Sequence, residues 1–89
     1  MNSIIVHSLR KKMDLSVKEY MVLDFVYHTS YLLGKKVSMR EMAEEFDFKV
    51  SNVNYMVENL IKLGYLQKNK YNKNITTTEL TKIFFLKNN

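Results

Sequence analysis

Between Val50 and Leu63 the chain carries seven polar residues, Ser51, Asn52, Asn54, Tyr55, Glu58, Asn59 and Lys62, at a spacing that a helix would gather onto one continuous face. Most are short amide, hydroxyl or aromatic groups. Such groups hydrogen-bond base edges and phosphates, and asparagine in particular matches the donor and acceptor pair of adenine. An ordinary solvated helix face more often carries Lys and Glu, although asparagine is common throughout this chain. The residues between them, Val50, Val53, Met56, Val57, Leu60, Ile61 and Leu63, occupy the complementary arc, and Gly64 is the expected C-terminal stop.

A helix that offers one polar face needs neighbours to hold the other. Just upstream, Met39, Met42, Ala43 and Phe46 recur at one-face helical spacing, with Arg40, Glu41, Glu44 and Glu45 on the outer side. Ser38 is the expected N-cap, and Glu41 three residues later completes a capping-box pattern. Residues 38–63 therefore read as two helices joined by a tight turn. Downstream of Gly64, residues 65–70 and 75–78 carry the β-favouring Tyr, Leu, Ile and Thr around a Tyr71 to Asn74 turn that contains neither glycine nor proline. The spacing predicts a projecting hairpin that carries Lys68, Lys70 and Lys73 beside Asn69, Asn72 and Asn74, placed for phosphates or a minor groove.

Charge is distributed unevenly along the chain. From Met1 to Glu58 eight Lys/Arg balance eight Asp/Glu, whereas from Asn59 to Asn89 six lysines face Glu79 alone, which accounts for the whole net charge of +5. Basicity is thus concentrated at the end of the polar helix and on the hairpin, and a polyanion is the partner this asymmetry favours.

The pattern resembles the winged helix-turn-helix regulators of the MarR/SarA type. The resemblance rests on Ala43 in the first helix, Phe46, Phe48, Ser51 and Val53 through the turn, and Leu60 followed by Gly64-Tyr65-Leu66. It extends from about Leu15 to Phe84. It implies a mainly α fold with a small two- or three-stranded antiparallel wing, the helix-turn-helix at 38–63 and the wing at 65–78. Two positions depart from the family pattern: Asp47 stands where glycine is usual, and Lys49 replaces the customary serine or aspartate cap. Asp47 tolerates a left-handed backbone better than most residues, and capping is left to Asp47 or Ser51. A cation at a helix N-terminus opposes the macrodipole at a modest cost that a phosphate would offset, so Lys49 is a candidate backbone ligand.

The remaining segments bear on support and assembly. Ser16 and Glu19 form a second capping-box pattern before an apolar run in which Val17, Tyr20, Met21, Val22, Leu23, Phe25, Val26, Tyr27, Tyr31 and Leu32 point nearly all round; the expectation is one core helix through Leu33, ended by Gly34 and buried on more than one side. Ile4, Ile5, Leu9 and Met13 form one stripe of a short N-terminal helix, and Thr78 is placed to cap a last helix holding Leu80, Ile83, Phe84, Phe85 and Leu86. Segments 1–14 and 79–89 either complete a monomer's core or, as the resemblance implies, build a homodimer.

With 89 residues the chain is expected to form a single domain with limited burial of its own. It has no cysteine for disulfides or thiolate ligands, and His7 and His28 are isolated, with no metal spacing and no glycine-rich phosphate loop. Neither an enzyme nor a metal or cofactor protein is indicated. No apolar run is long enough to span a membrane and no signal-peptide pattern opens the chain, so a soluble, cytoplasmic protein is expected.

The function these residues predict is sequence-specific binding of double-stranded DNA by a homodimeric transcription regulator, most plausibly a repressor. Base readout falls to Ser51, Asn52, Asn54, Tyr55 and Asn59, and phosphate contact to Arg40, Lys49, Lys62, Lys68, Lys70 and Lys73. Two alternatives fit the same residues: a winged-helix protein-interaction module serving as an adaptor or polymerase-binding element, and a replication or partition DNA-binding protein. No small-molecule effector is nominated by the sequence.

Overall fold

In the computed structural model, which describes residues 10–87, the chain is mainly helical with one two-stranded antiparallel sheet, in the order of a winged helix. Residues 10–12 are helical, and a turn through Asp14 leads to α1 (Val17–Val26). Ser16 caps α1 reciprocally: its hydroxyl accepts from the Glu19 backbone N–H at 3.1 Å, and the Glu19 carboxylate accepts from the Ser16 N–H at 3.1 Å. Two of the backbone donors that the helix start leaves without intrahelical partners are thereby satisfied.

The expected long helix runs to Leu32 and is ended at Gly34, but it is not α-helical throughout. After Val26 the helix widens into a π-helical stretch, Tyr27–Leu32, closed by Gly34 in the left-handed region at φ +65°. The widening begins at Tyr27, whose ring lies flat on Phe85 at 4.4 Å and 11°. Nor is this stretch buried all round, because Tyr31, Leu32 and Leu33 are exposed. A run of apolar letters records hydrophobicity, not whether the backbone hydrogen bonds run i→i+4 or i→i+5.

The next two helices follow their patterns closely. α2 (Met39–Phe46) begins at Ser38, whose hydroxyl accepts from the Glu41 N–H at 3.3 Å, and ends at Asp47, which takes the left-handed conformation at φ 56°, ψ 44°. α3 (Val50–Lys62) ends ahead of Gly64, itself at φ +86°. Strands β1 (Leu66–Lys68) and β2 (Ile75–Thr77) pair in the register Leu66 with Thr77, Gln67 with Thr76 and Lys68 with Ile75. Helix α4 (Glu79–Lys87) closes the described chain.

One core joins all of these elements. Val22, Leu23 and Val26 of α1 pack with Met42 and Ala43 of α2, Val53, Val57 and Leu60 of α3, Leu66 and Ile75 of the sheet, and Phe85 of α4. The terminal segments contribute directly. Met13 and Leu15 are buried, and the Met13 carbonyl accepts a buried hydrogen bond from the Tyr65 hydroxyl at 3.1 Å. On the other side, the Thr81 hydroxyl donates to the Tyr65 carbonyl at 2.6 Å and the Thr78 hydroxyl donates to the Gly64 carbonyl at 2.6 Å. Thr78 thus spends its hydroxyl on the joint between α3 and the wing, not on a cap for α4. Both ends clamp the joint from which the hairpin emerges. The expected stripe residues Ile4, Ile5 and Leu9 lie outside the described residues.

A candidate nucleic-acid interface

Helix α3 divides as its spacing predicts. Val53, Met56, Val57 and Leu60 form the buried stripe, and with 3.6 residues per turn Ser51, Tyr55, Glu58 and Lys62 lie opposite it, with Asn52 and Asn54 towards the two edges. Ser51, Asn52, Asn54, Tyr55, Glu58 and Lys62 are all exposed, and Tyr55 presents 76% of its surface. Two residues assigned to the apolar arc, Val50 and Leu63, are exposed as well, because the helix ends project past the core.

Asn59 is a different case. It is half-buried, and its amide donates to the Glu19 carboxylate at the start of α1. Burial works against the Glu19 charge, but the Ser16 backbone N–H, the Asn59 amide and the Ser16 hydroxyl outweigh it and hold this carboxyl below its ordinary value. Asn59 therefore braces α3 against α1, and its amide is already engaged before any base edge approaches. A contact 40 residues away in sequence leaves no local mark, so spacing alone could not separate Asn59 from Asn52.

The N-terminus of α3 carries no side-chain cap. Lys49 is the N-cap residue, extended at φ −73°, ψ 140°, and neither Asp47 nor Ser51 supplies the cap that the sequence left to them. Lys49 is exposed at the end of α3 where the first backbone N–H groups lie, the end of a helix that favours an anion. Arg40, near the start of α2, is exposed too.

The hairpin is built by its asparagines. Asn69 Oδ1 accepts from the Tyr71 and Asn72 backbone N–H groups at 2.8 and 3.2 Å, and Asn72 Oδ1 accepts from the Asn74 N–H at 2.9 Å. These side-chain oxygens shape the turn, as the turn chemistry of the asparagine-rich stretch predicts. The turn also needs one left-handed residue after all, and Lys73 supplies it at φ +61°. Lys68 reaches back to α3, with Nζ 3.5 Å from Glu58 Oε1, so the base of the wing adjoins the exposed face of that helix. This pairing is solvent-exposed and weak. Lys70 and Lys73 stand exposed beyond it.

A cleft of about 250 Å³ lies between α1 and α2, lined by Met21, Asp24, Phe25, His28, Glu45 and Phe46. His28 Nδ1 sits 2.9 Å from the Asp24 backbone carbonyl and 3.3 Å from its Oδ1, and the shorter contact takes the hydrogen bond. Asp24 Oδ1 and the nearby Tyr20 hydroxyl are buried without hydrogen-bond partners within the protein. Burial pushes the Asp24 carboxyl up despite the opposing influence of His28, and burial together with Asp24 pushes the Tyr20 hydroxyl up to about 12. The folded state holds the Asp24 proton more tightly than the unfolded chain, whose carboxyl titrates near 3.8, so stability falls as pH rises from 3.8 through the raised value. Asp24→Asn is expected to raise the melting temperature at neutral pH, with the gain shrinking as the pH approaches 3.8. Identical melting curves at neutral pH would contradict this.

Among the described residues there is no group of three or more His, Asp or Glu side chains placed to hold a metal, and no helix long and apolar enough to cross a membrane. No protein-family model matches the chain, and no curated protein matches it. The fold is that of a winged helix, and the exposed face of α3 with the adjoining lysine-bearing hairpin is its candidate interface.

Proposed function

We propose that this protein binds double-stranded DNA sequence-specifically and regulates transcription as a repressor. The observation that carries the reading is the exposed face of α3, whose core side is fully committed while Ser51, Asn52, Asn54 and Tyr55 stand free beside a wing carrying Lys68, Lys70 and Lys73. In this reading α3 enters the major groove, Asn52 and Asn54 read base edges with Ser51 and Tyr55, and Arg40, Lys49, Lys62 and the wing lysines hold phosphates. Asn59 acts by bracing α3. Cytoplasmic residence follows from this role.

A homodimer is part of the proposal. Leu80, Ile83 and Leu86 leave an exposed apolar surface on α4, while Thr81 and Phe85 on the same helix are buried. A second copy covering that surface with two-fold symmetry would set two α3 helices about 34 Å apart, one helical turn of DNA.

Lys70 offers the cleanest test of the electrostatic part, because it is exposed and neither closes the turn nor pairs with Glu58. Lys70→Ala is expected to weaken all duplexes alike and to lower the slope of log affinity against log salt by about one. Fluorescence anisotropy across a salt series measures it. A variant with the wild-type slope would remove Lys70 from the interface.

A further inference from the structure

Tyr71 stands at the tip of the wing with 92% of its surface exposed, and among the described residues its ring stacks on no other aromatic ring. The turn does not require an aromatic there. The left-handed position belongs to Lys73, and Tyr71 contributes only its backbone N–H, held at 2.8 Å by Asn69 Oδ1. Asn69 and Asn72 brace the tip with three side-chain hydrogen bonds, so the ring is presented on a pre-shaped loop. Lys70 precedes it and Lys73 follows two residues later, which sets a flat apolar ring between two cations. Lys68, paired with Glu58 of α3, lies three residues back along the chain, about 10 Å at full extension. The ring is therefore carried at the tip of the same hairpin whose base adjoins the α3 face.

An aromatic ring flanked by cations suits a nucleic acid: the cations meet phosphates while the ring stacks on a base, and inserted side chains in the minor groove unstack and kink the duplex. We propose that Tyr71 is a base-stacking wedge, which enters the minor groove next to the major groove held by α3 and opens one base step. This inference rests on the DNA-binding reading. It adds a source of selectivity that touches no base edge, since pyrimidine–purine steps open and kink most readily and are favoured opposite the wing tip.

The test uses a duplex enriched by the wild-type protein from a random pool, with 2-aminopurine placed at successive steps. Binding of the wild-type protein is expected to raise the fluorescence at one step. Tyr71→Ala should abolish the rise and weaken binding roughly 5- to 150-fold with an unchanged salt slope, while Tyr71→Phe keeps both. Unaltered affinity in Tyr71→Ala, or no fluorescence rise with the wild-type protein, overturns the wedge while leaving DNA binding intact. If the wild-type protein retains no duplex at low salt, the DNA-binding reading itself fails and the wedge falls with it.

Discussion

Replacing Phe85 with alanine is expected to destabilise the fold by about 3–5 kcal/mol, the range for emptying a well-packed aromatic site. The ring is fully buried, lies flat on Tyr27 at 4.4 Å and stacks on Tyr20 at 5.9 Å, so it joins α4 to both the α-helical and the π-helical parts of the long helix. Aromatic pairs add about 0.5–1.5 kcal/mol beyond the area they bury. Small domains have total stabilities of about 5–15 kcal/mol, so this single side chain represents a large fraction of what holds the domain together. Urea or thermal unfolding followed by circular dichroism measures it, with Lys87→Ala as the control at an exposed position of the same helix outside the proposed dimer surface. A Phe85→Ala loss below about 1 kcal/mol would show that α4 is not part of the cooperative core.

The largest functional effect is expected at Asn52. Its side chain is exposed on the first turn of α3 and makes none of the intramolecular bonds that occupy Asn59, Asn69 and Asn72. Asn52→Ala should weaken the preferred duplex by about 1–3 kcal/mol and relax selectivity at one base position, with binding to unrelated duplexes unchanged. Competition binding with single-base variants of the site measures both. Equal loss on every sequence would make Asn52 a phosphate ligand, and no loss would remove it from the interface.

The contrast among the asparagines shows what the sequence could convey. Helix bounds were legible because caps and periodicity are local: Ser38, Asp47 and Gly64 mark the ends of α2 and α3 in the structure as in the sequence. The wing was legible for the same reason, from β-favouring residues on either side of an asparagine-rich turn. Long-range partnerships were not. Asn59 and Asn52 share one residue type on one side of one helix, and only the carboxylate of Glu19, brought in by the packing of α1, assigns the first to bracing. Phe85 likewise looked equivalent to Ile83 and Leu86, until the stack on Tyr27 buried one and left the other two exposed. The π-helical stretch escaped because a change in backbone hydrogen-bonding does not alter the apolar pattern.

The acidic and basic groups complete the picture. Glu41, Glu44 and Glu45 lie exposed on α2, and the cleft between α1 and α2 is lined by Asp24 and Glu45, whereas Lys62, Lys68, Lys70 and Lys73 stand exposed on the end of α3 and the wing with Glu58 as the carboxylate beside them. In the proposed DNA-binding role, this arrangement would draw a polyanion to the wing and away from the α2 carboxylates, orienting the encounter. Glu58 is the one carboxylate on α3, and it is partly neutralised by Lys68. Breaking that pair on binding would release Lys68 to a phosphate.

The most direct measurement of the central claim is selection of the wild-type protein against a random duplex pool at low and at moderate salt. Retention at low salt that weakens steeply as salt rises, with enrichment of one motif in two symmetric halves, is the predicted result. No retained duplex even at low salt would contradict it, and the exposed Tyr55 and asparagine face of α3 would then belong to a protein partner.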